Sequence, residues 1–279
     1  TCFTMPAPRS ALLSMIEKNV RLPVQLFGDL RAQLAACHIA EKQFAELVAR
    51  YGAQQTRYYM NETIDYAERL TRAALETLPD GEWSFEDWID DDGIDYGKPI
   101  RLFVTIRKRG GHMVVDWTGT APQVKGAINN TLSFTMAASY TGVRSVLPQG
   151  IPNNEGVFRA IEVICPPGTV GNGMLPAACA ARGLTGFRMT DCMFGALAMM
   201  LPERVKAAGD GGNTGISIGG YYADRKPFVY VDFTCGAWGA RPWADGLDGN
   251  SHMFANMASH SIEVTELEHP IQLLAYEFV

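Results

Sequence analysis

The sequence predicts an α+β fold with mixed, largely antiparallel sheets packed against helices. Three observations carry this. Helical periodicity dominates up to about residue 78 and gives way to apolar alternation after Pro79-Asp80-Gly81. Beyond that turn, helices and strands follow one another without the regular alternation of a doubly wound sheet. Hydrophobic residues make up 47% of the 279 and charged residues 19%, enough apolar surface for a sizeable core and the opposite of a disordered composition.

Ser10 is placed to cap a first helix over 10–19, with Leu12, Leu13 and Ile16 as its apolar positions. A longer helix is expected from Leu30 to Tyr51, capped by Asp29 and stopped by Gly52, with Leu30, Leu34, Cys37, Phe44, Leu47 and Tyr51 on one stripe. A third covers about 62–78, with Ile64, Ala67, Ala74 and Leu78 inward and Glu68, Arg69 and Arg72 outward. Ile100, Leu102, Val104 and Ile106 then alternate with Arg101, Phe103, Thr105 and Arg107, and Met113, Val115 and Trp117 alternate beyond Gly110-Gly111. That is a hairpin, because Gly-Gly accepts the positive φ angles of a tight turn. Trp83 and Phe85 start an earlier strand of the same sheet, against which helix 30–51 is expected to pack. Helices at 129–147 and 186–201 and strands at 158–164, 215–222, 227–234 and 270–278 complete the pattern, with Gly-rich loops at 209–215 and 236–250. Residues 1–122 are expected to form a helical segment plus the hairpin sheet, and 123–279 an α+β core with Gly-rich loops.

Twenty-four Lys+Arg against thirty Asp+Glu give a net charge of −6, which excludes a basic nucleic-acid surface. No apolar run is long enough to span a bilayer. Six cysteines at 2, 37, 165, 179, 192 and 235 include no C-x-x-C pair, and a chain of this length is no disulfide-dense miniature, so a reducing, cytoplasmic setting is expected. Both ends read as cuts: residue 1 is Thr, and Tyr276-Glu277-Phe278-Val279 stops inside an apolar pattern.

Several patterns invite a chemical reading. Asp90-Asp91-Asp92-Gly93 resembles the start of a calcium loop but lacks its later ligands, and is expected to be a turn with solvated carboxylates. None of the five histidines (38, 112, 252, 260, 269) forms an H-x-H or H-E-x-x-H pair, so no metal ligand is assigned. His38 and His112 read as surface residues, while His252 and His260 flank a polar loop and are candidates to face a cleft. Gly215-Ile216-Ser217-Ile218-Gly219 matches the nucleophile-elbow pattern, with Asp232 or Asp245 and a His downstream. An elbow needs a strand-to-helix turn, and here a second strand follows, so Ser217 is expected within a strand. Gly209-Asp210-Gly211-Gly212-Asn213-Thr214-Gly215 is either an anion-holding nest of backbone N–H groups or a plain connection, and it lacks the third glycine of G-x-G-x-x-G and the Lys-Ser/Thr of a P-loop. Arg182 and Arg241 sit among small and aromatic residues, positions suited to clamping a carboxylate or carbonyl or, for Arg241, to pairing with a structural Asp such as Asp245. Arg182, Gly211, Gly212, Asn213 and Arg241 are therefore the candidate substrate-binding groups, with Asp232 and Asp245 to orient them, and no catalytic residue is assigned.

Taken in order, a series of stretches resembles one family. They are Asn19-Val20-Arg21-x-Pro23, Gly28-Asp29-Leu30-x-Ala32-Gln33, Asp90-Asp91-Asp92-Gly93, Asp116-x-Thr118-Gly119-Thr120 and Pro152-Asn153-Asn154-x-Gly156-x-Phe158-Arg159. Pro176-Ala177-Ala178, Gly195-Ala196-Leu197, Gly239-Ala240-Arg241-Pro242 and Asp245-Gly246 continue the series. This succession is similar to the B-type component of the hydantoinase/oxoprolinase/acetone carboxylase family. The resemblance implies an ATP-dependent hetero-oligomer in which a hydantoinase A-like ATPase subunit, holding ATP and Mg, phosphorylates a cyclic amide that the B-type component then hydrolyses. A ketone (acetone or acetophenone) carboxylase is the alternative reaction. The resemblance also implies a divalent metal bound by His and Asp in an N-terminal region that precedes the Asn19 stretch in the family, and none of those ligands is expected among the residues of this chain. A non-catalytic scaffold using helices 30–51 and 62–78, or a serine hydrolase using Ser217, are the readings that do not depend on the resemblance.

Overall fold

A computed structural model describes residues 10–212, 214–258 and 260–275. The chain divides into two compact units. One is drawn from Thr1–Arg57, Gly215–Asp232 and His260–Val279, the other from Tyr58–Thr214 and Phe233–Ser259, and residue 122 lies inside the second. The architecture is α+β, as the pattern predicts.

The first unit contains α1 (Ser10–Asn19), α2 (Pro23–Tyr51), most of the two-stranded sheet of β5 (Thr214–Tyr221) and β6 (Pro227–Thr234), and α7 (Ile262–Glu268). α2 starts earlier than Asp29 suggested. Pro23 occupies its first turn, where the missing N–H has no intrahelical partner to lose, and Leu22 is the N-cap. Gly52, at φ 80°, stops the helix as expected, its N–H donating to the Val48 carbonyl at 2.8 Å. The apolar stripe of α2 is not a core face: no α2 residue is buried, and Phe44 and Tyr51 are half exposed. Pro270–Ala275 forms no strand, and the rest of the expected 270–278 strand lies outside the described residues.

In the second unit, four strands run in the order β1 (Gly81–Ile89), β2 (Ile100–Arg109), β3 (His112–Asp116) and β4 (Ile161–Ile164). β1–β2 and β2–β3 are antiparallel, with Trp83 opposite Ile106 and Ile106 opposite Val115. β3–β4 is parallel, a pairing the local pattern did not reveal. The helix packed on β1 and β2 is α6 (Arg182–Met200), with α4 (Leu132–Ser145) beside it, in place of the expected helix 30–51. Leu102, Val104, Ile106, Val115, Trp117, Met189, Met193 and Leu197 are fully buried between these layers. The Trp117 indole N–H, which would be costly to bury unpaired, donates to Ser139 Oγ at 2.9 Å.

α3 (Ala53–Glu76) starts earlier than the expected 62 and ends at Glu76, ahead of Pro79-Asp80, while Gly81 already opens β1; Ala67, Leu75 and Leu78 enter the core. Phe158 is helical: Asn154 Oδ1 accepts the Gly156 N–H at 2.9 Å and caps α5 (Glu155–Arg159), so only Ile161–Ile164 is left as strand. The 236–250 loop contains a small antiparallel pair, β7 (Gly236–Trp238) and β8 (Leu247–Asn250). The Asp90–Asp92 turn is also more than solvated carboxylates. Asp92 is only 8% exposed, and its carboxylate accepts the N–H groups of Ile94, Asp95 and Gly126. Those donors hold its pKa down to about 2.

Candidate functional site

α6 is apolar enough to be buried, yet it carries Arg188, Asp191 and Gly195 at steps of three and four, which places them along one face. Strand β1 lies across that face. A Cβ on Gly195 would sit 2.4 Å from Phe85 Cδ1, so the glycine is what permits the approach. Asp87, two residues along β1 and therefore on the same face of the strand, forms an ion pair with Arg188. Between these elements and the 206–208 segment lies a cavity of about 500 Å³ lined by Phe85, Asp87, Arg188, Asp191, Phe194 and Lys206, among others.

Asp191 is the unusual member. Its side chain is 2% exposed, and neither carboxyl oxygen accepts a hydrogen bond. His252, equally buried, stands behind it with Nε2 3.3 Å from Asp191 Oδ1. The Phe254 N–H donates to His252 Nδ1 at 3.3 Å, so the proton of the neutral ring belongs on Nε2, the nitrogen facing Asp191. Phe187 packs on the imidazole with ring centroids 5.0 Å apart. Burial, with Asp87 nearby, pushes the Cys192 thiol far up, so this cysteine is an inert core group.

A second, smaller cavity of about 180 Å³ shares Phe194 and Lys206 with the first. Trp238, Arg241, Asp245, Arg204 and Met253 also line it. The β7–β8 connection builds its wall. Arg241 and Ala244 close a tight turn through paired backbone hydrogen bonds of 2.8 and 3.2 Å. Gly239 presses against the 207–208 backbone, where a Cβ would lie 2.2 Å from the Ala207 carbonyl oxygen. Trp238 Nε1 donates to the Ser251 carbonyl at 2.7 Å and fixes the indole. Arg241 and Asp245 line one cavity without forming an ion pair, so the expected structural pairing is absent and the guanidinium is committed to no carboxylate among the described residues.

The structure brings together some of the sequence-derived candidates and separates others. Arg241 and Asp245 share the small cavity. Gly211, at φ 76°, lies against Arg188, since a Cβ there would meet Nη1 at 2.2 Å; Gly212 adjoins Phe187. Asn213 lies outside the described residues. Arg182 stands at the start of α6, reaching only the Cys179 carbonyl at 3.4 Å and the Phe134 ring at 5.9 Å, and lines neither cavity. Asp232 belongs to the other unit, where it accepts the Tyr230 hydroxyl at 2.6 Å and faces His260 Nδ1 at 3.3 Å. Ser217 is exposed in the middle of β5, within a strand as expected and not on an elbow. Asp87, Arg188, Asp191 and Lys206 were missed. The legible signal for two of them was a pair of charges three residues apart on the inward face of an otherwise apolar helix.

Comparison with known proteins identifies the lineage. The family model for Hydantoinase B/oxoprolinase matches residues 5–279. The chain belongs to this family. It is 33% identical over 273 residues to the B-type component of a putative D-/L-hydantoinase from Pseudomonas sp. (strain NS671), covering 94% of this chain and 46% of that protein. It is 30% identical over 280 residues to the beta-type component of the caprolactamase of Pseudomonas jessenii, covering 97% and 48%. The crystal structure of ATP-dependent caprolactamase from Pseudomonas jessenii superposes with a TM-score of 0.84 at 27% identity, covering 96% of this chain and 47% of that one. A nucleotide-free acetone carboxylase structure shares the fold, at 17% identity and a TM-score of 0.79. The chain spans about half the length of the curated relatives it matches.

Within this hydantoinase B/oxoprolinase chain, several of the resembling motifs are architectural. Arg21 of Asn19-Val20-Arg21 donates to the Gly220 carbonyl at 2.8 Å and the Phe228 carbonyl at 3.3 Å, tying the α1–α2 corner to β5 and β6. The Ala178 carbonyl of Pro176-Ala177-Ala178 accepts from Asn129 Nδ2 at 3.0 Å. Among the described residues, no three His, Cys, Asp or Glu side chains converge as metal ligands, so no step below is assigned to a metal held by them. No helix among the described residues is long and apolar enough to cross a membrane.

Proposed function

We propose that this chain is part of the B-type component of an ATP-dependent cyclic-amide hydrolase, working on an amide that a separate ATPase subunit has phosphorylated. Family membership and the hydantoinase and caprolactamase relatives support the reaction class. The observation that carries the reading is the small cavity, where Arg204, Lys206 and Arg241 face a single acid, Asp245. Phosphorylation of the amide oxygen turns a poor leaving group into a good one. Water then adds to the amide carbon, and negative charge concentrates on the phosphoryl and carbon-bound oxygens. Three cations to one carboxylate around one cavity is an electrostatic arrangement that stabilises such charge. Arg241 is the strongest donor among them, because its planar fork matches a phosphoryl or carboxylate edge and no carboxylate among the described residues neutralises it. Trp238 and Phe194 add apolar surface to the same cavity. Nucleotide and any metal are assigned to other parts of the assembly.

The test uses the full-length protein with its ATPase partner. Arg241→Ala is expected to lower kcat for cyclic-amide hydrolysis by about 10²-fold while the unfolding temperature is unchanged. The full-length protein without the partner is expected to consume no ATP. Wild-type turnover by Arg241→Ala would remove the site. Carboxylation of a ketone, with no cyclic amide opened, would replace the reaction.

A further inference from the structure

The α6 cavity holds a charge that folding leaves unsatisfied. Asp191 is buried, its Oδ1 is met only by His252 Nε2 at 3.3 Å, its Oδ2 has no hydrogen-bond donor among the described residues, and it lines a space of about 500 Å³. Leaving a buried carboxyl oxygen without a donor costs folding free energy, so a donor that arrives with a ligand is the natural complement of Oδ2. The other charges of the cavity narrow the choice. Arg188 is already committed to Asp87. Lys206 has no acidic partner among the described residues, and its ammonium reaches only the Ala207 carbonyl, at 3.3 Å, and the Phe194 ring, at 5.7 Å. The groups with capacity left are therefore Asp191 Oδ2 and the Lys206 ammonium, and both residues line the cavity.

We propose that this cavity binds a small amino acid as a zwitterion, its nitrogen on Asp191 and its carboxylate on Lys206. The proposal rests on the cyclic-amide reading above, because water added across the ring C–N bond of a lactam leaves an ammonium and a carboxylate on one open chain. A purely anionic ligand satisfies Lys206 but leaves Asp191 without a donor. A purely cationic one leaves Lys206 unused. The neutral ring presents one N–H to Asp191, and the opened product presents three together with the anion that Lys206 takes up, so the site favours the product side. His252 acts as a positioning residue: its Nε2 stands 3.3 Å from Asp191 Oδ1 and leaves Oδ2 for the ligand. Lys206 and Phe194 line the cationic cavity as well, so the two sites are adjacent.

The experiment titrates the full-length protein calorimetrically with 6-aminohexanoate, hexanoate and hexylammonium. The zwitterion is expected to bind more tightly than either single-charge analogue. Asp191→Asn is expected to weaken it at least ~10-fold, and Lys206→Gln to weaken it by a similar factor, since each removes a charge-assisted hydrogen bond. Equal binding of hexanoate and 6-aminohexanoate, no binding of the zwitterion to the wild type, or unchanged binding by Asp191→Asn overturns the proposal. If the complex opens cyclic amides while Asp191→Asn leaves zwitterion affinity intact, the site fails and the reaction stands. If no cyclic amide is opened while Asp191→Asn abolishes zwitterion binding, the reaction fails and the site stands.

Discussion

Gly195→Ala tests the contact that shapes the α6 cavity. In an ordinary helix interior this substitution stabilises by about 1 kcal/mol, because alanine loses less backbone entropy on folding. Here the added methyl would lie 2.4 Å from Phe85 Cδ1 and 2.5 Å from both Cε1 and Cγ. Cγ is the root of the ring, so a ring flip about Cβ–Cγ does not clear it, and Phe85 must leave its rotamer or β1 must shift. Overpacking of this kind costs about 1–3 kcal/mol. The net effect in the wild-type background is then a loss of about 0–2 kcal/mol, opposite in sign to the propensity gain. In a Phe85→Ala background the clash is gone, and Gly195→Ala should stabilise by about 1 kcal/mol. The coupling between the two substitutions equals the steric term, about 1–3 kcal/mol. Urea unfolding of the wild type, the two single variants and the double variant completes the cycle. A gain in stability from Gly195→Ala in the wild-type background, or a coupling near zero, would refute the reasoning.

Asn129 is fully buried and makes four side-chain hydrogen bonds, accepting from the Val124 N–H and donating to the carbonyls of Val124, Gly126 and Ala178. Asn129→Ala strands those backbone groups and is expected to cost about 3 kcal/mol or more in urea unfolding. Asp92 has a folded pKa of about 2, below its ordinary 3.8, so the stability it contributes is complete above about pH 4 and is lost as pH falls through 2. Asp92→Asn should therefore be less stable than wild type at neutral pH, and acid titration followed by tryptophan fluorescence should show that difference shrinking between pH 4 and 2. Ser217→Ala, exposed in mid-strand, should leave turnover of the assembled enzyme unchanged; loss of activity with folding intact would restore the serine reading.

The Asp92 case shows why local reading stopped short. The Asp-Asp-Asp-Gly run correctly announced a turn, since such side chains bond the backbone two residues on. The third donor to Asp92 comes from Gly126, thirty-four residues away, and only the fold brings it there. The same limit explains the site. Arg241 and Asp245 were legible because an arginine amid Gly, Ala and Trp is poorly explained as surface, and both line one cavity. Asp232 was grouped with them on residue type alone, and it lies in the other unit. His252 was expected to face a cleft, yet it is buried and lines neither cavity, because it packs on Asp191, sixty-one positions earlier, and no spacing rule links them.

The sequence by itself determined the elements that rest on periodicity and local chemistry. The hairpin at Gly110-Gly111, the Gly52 stop, the α4 and α6 helices and Ser217 within a strand all depend on neighbours a few residues apart. The order of family motifs likewise fixed the lineage. The tertiary structure alone decided which apolar stripe becomes a core face. α2 carries as regular a stripe as α6, yet α6 is buried under β1 and β2 while α2 buries no residue among those described. Amphipathicity states only that a face seeks cover; which surface meets it depends on contacts between segments far apart in the chain. For the same reason the parallel β3–β4 pair and the two cavities that share Lys206 emerged only in three dimensions.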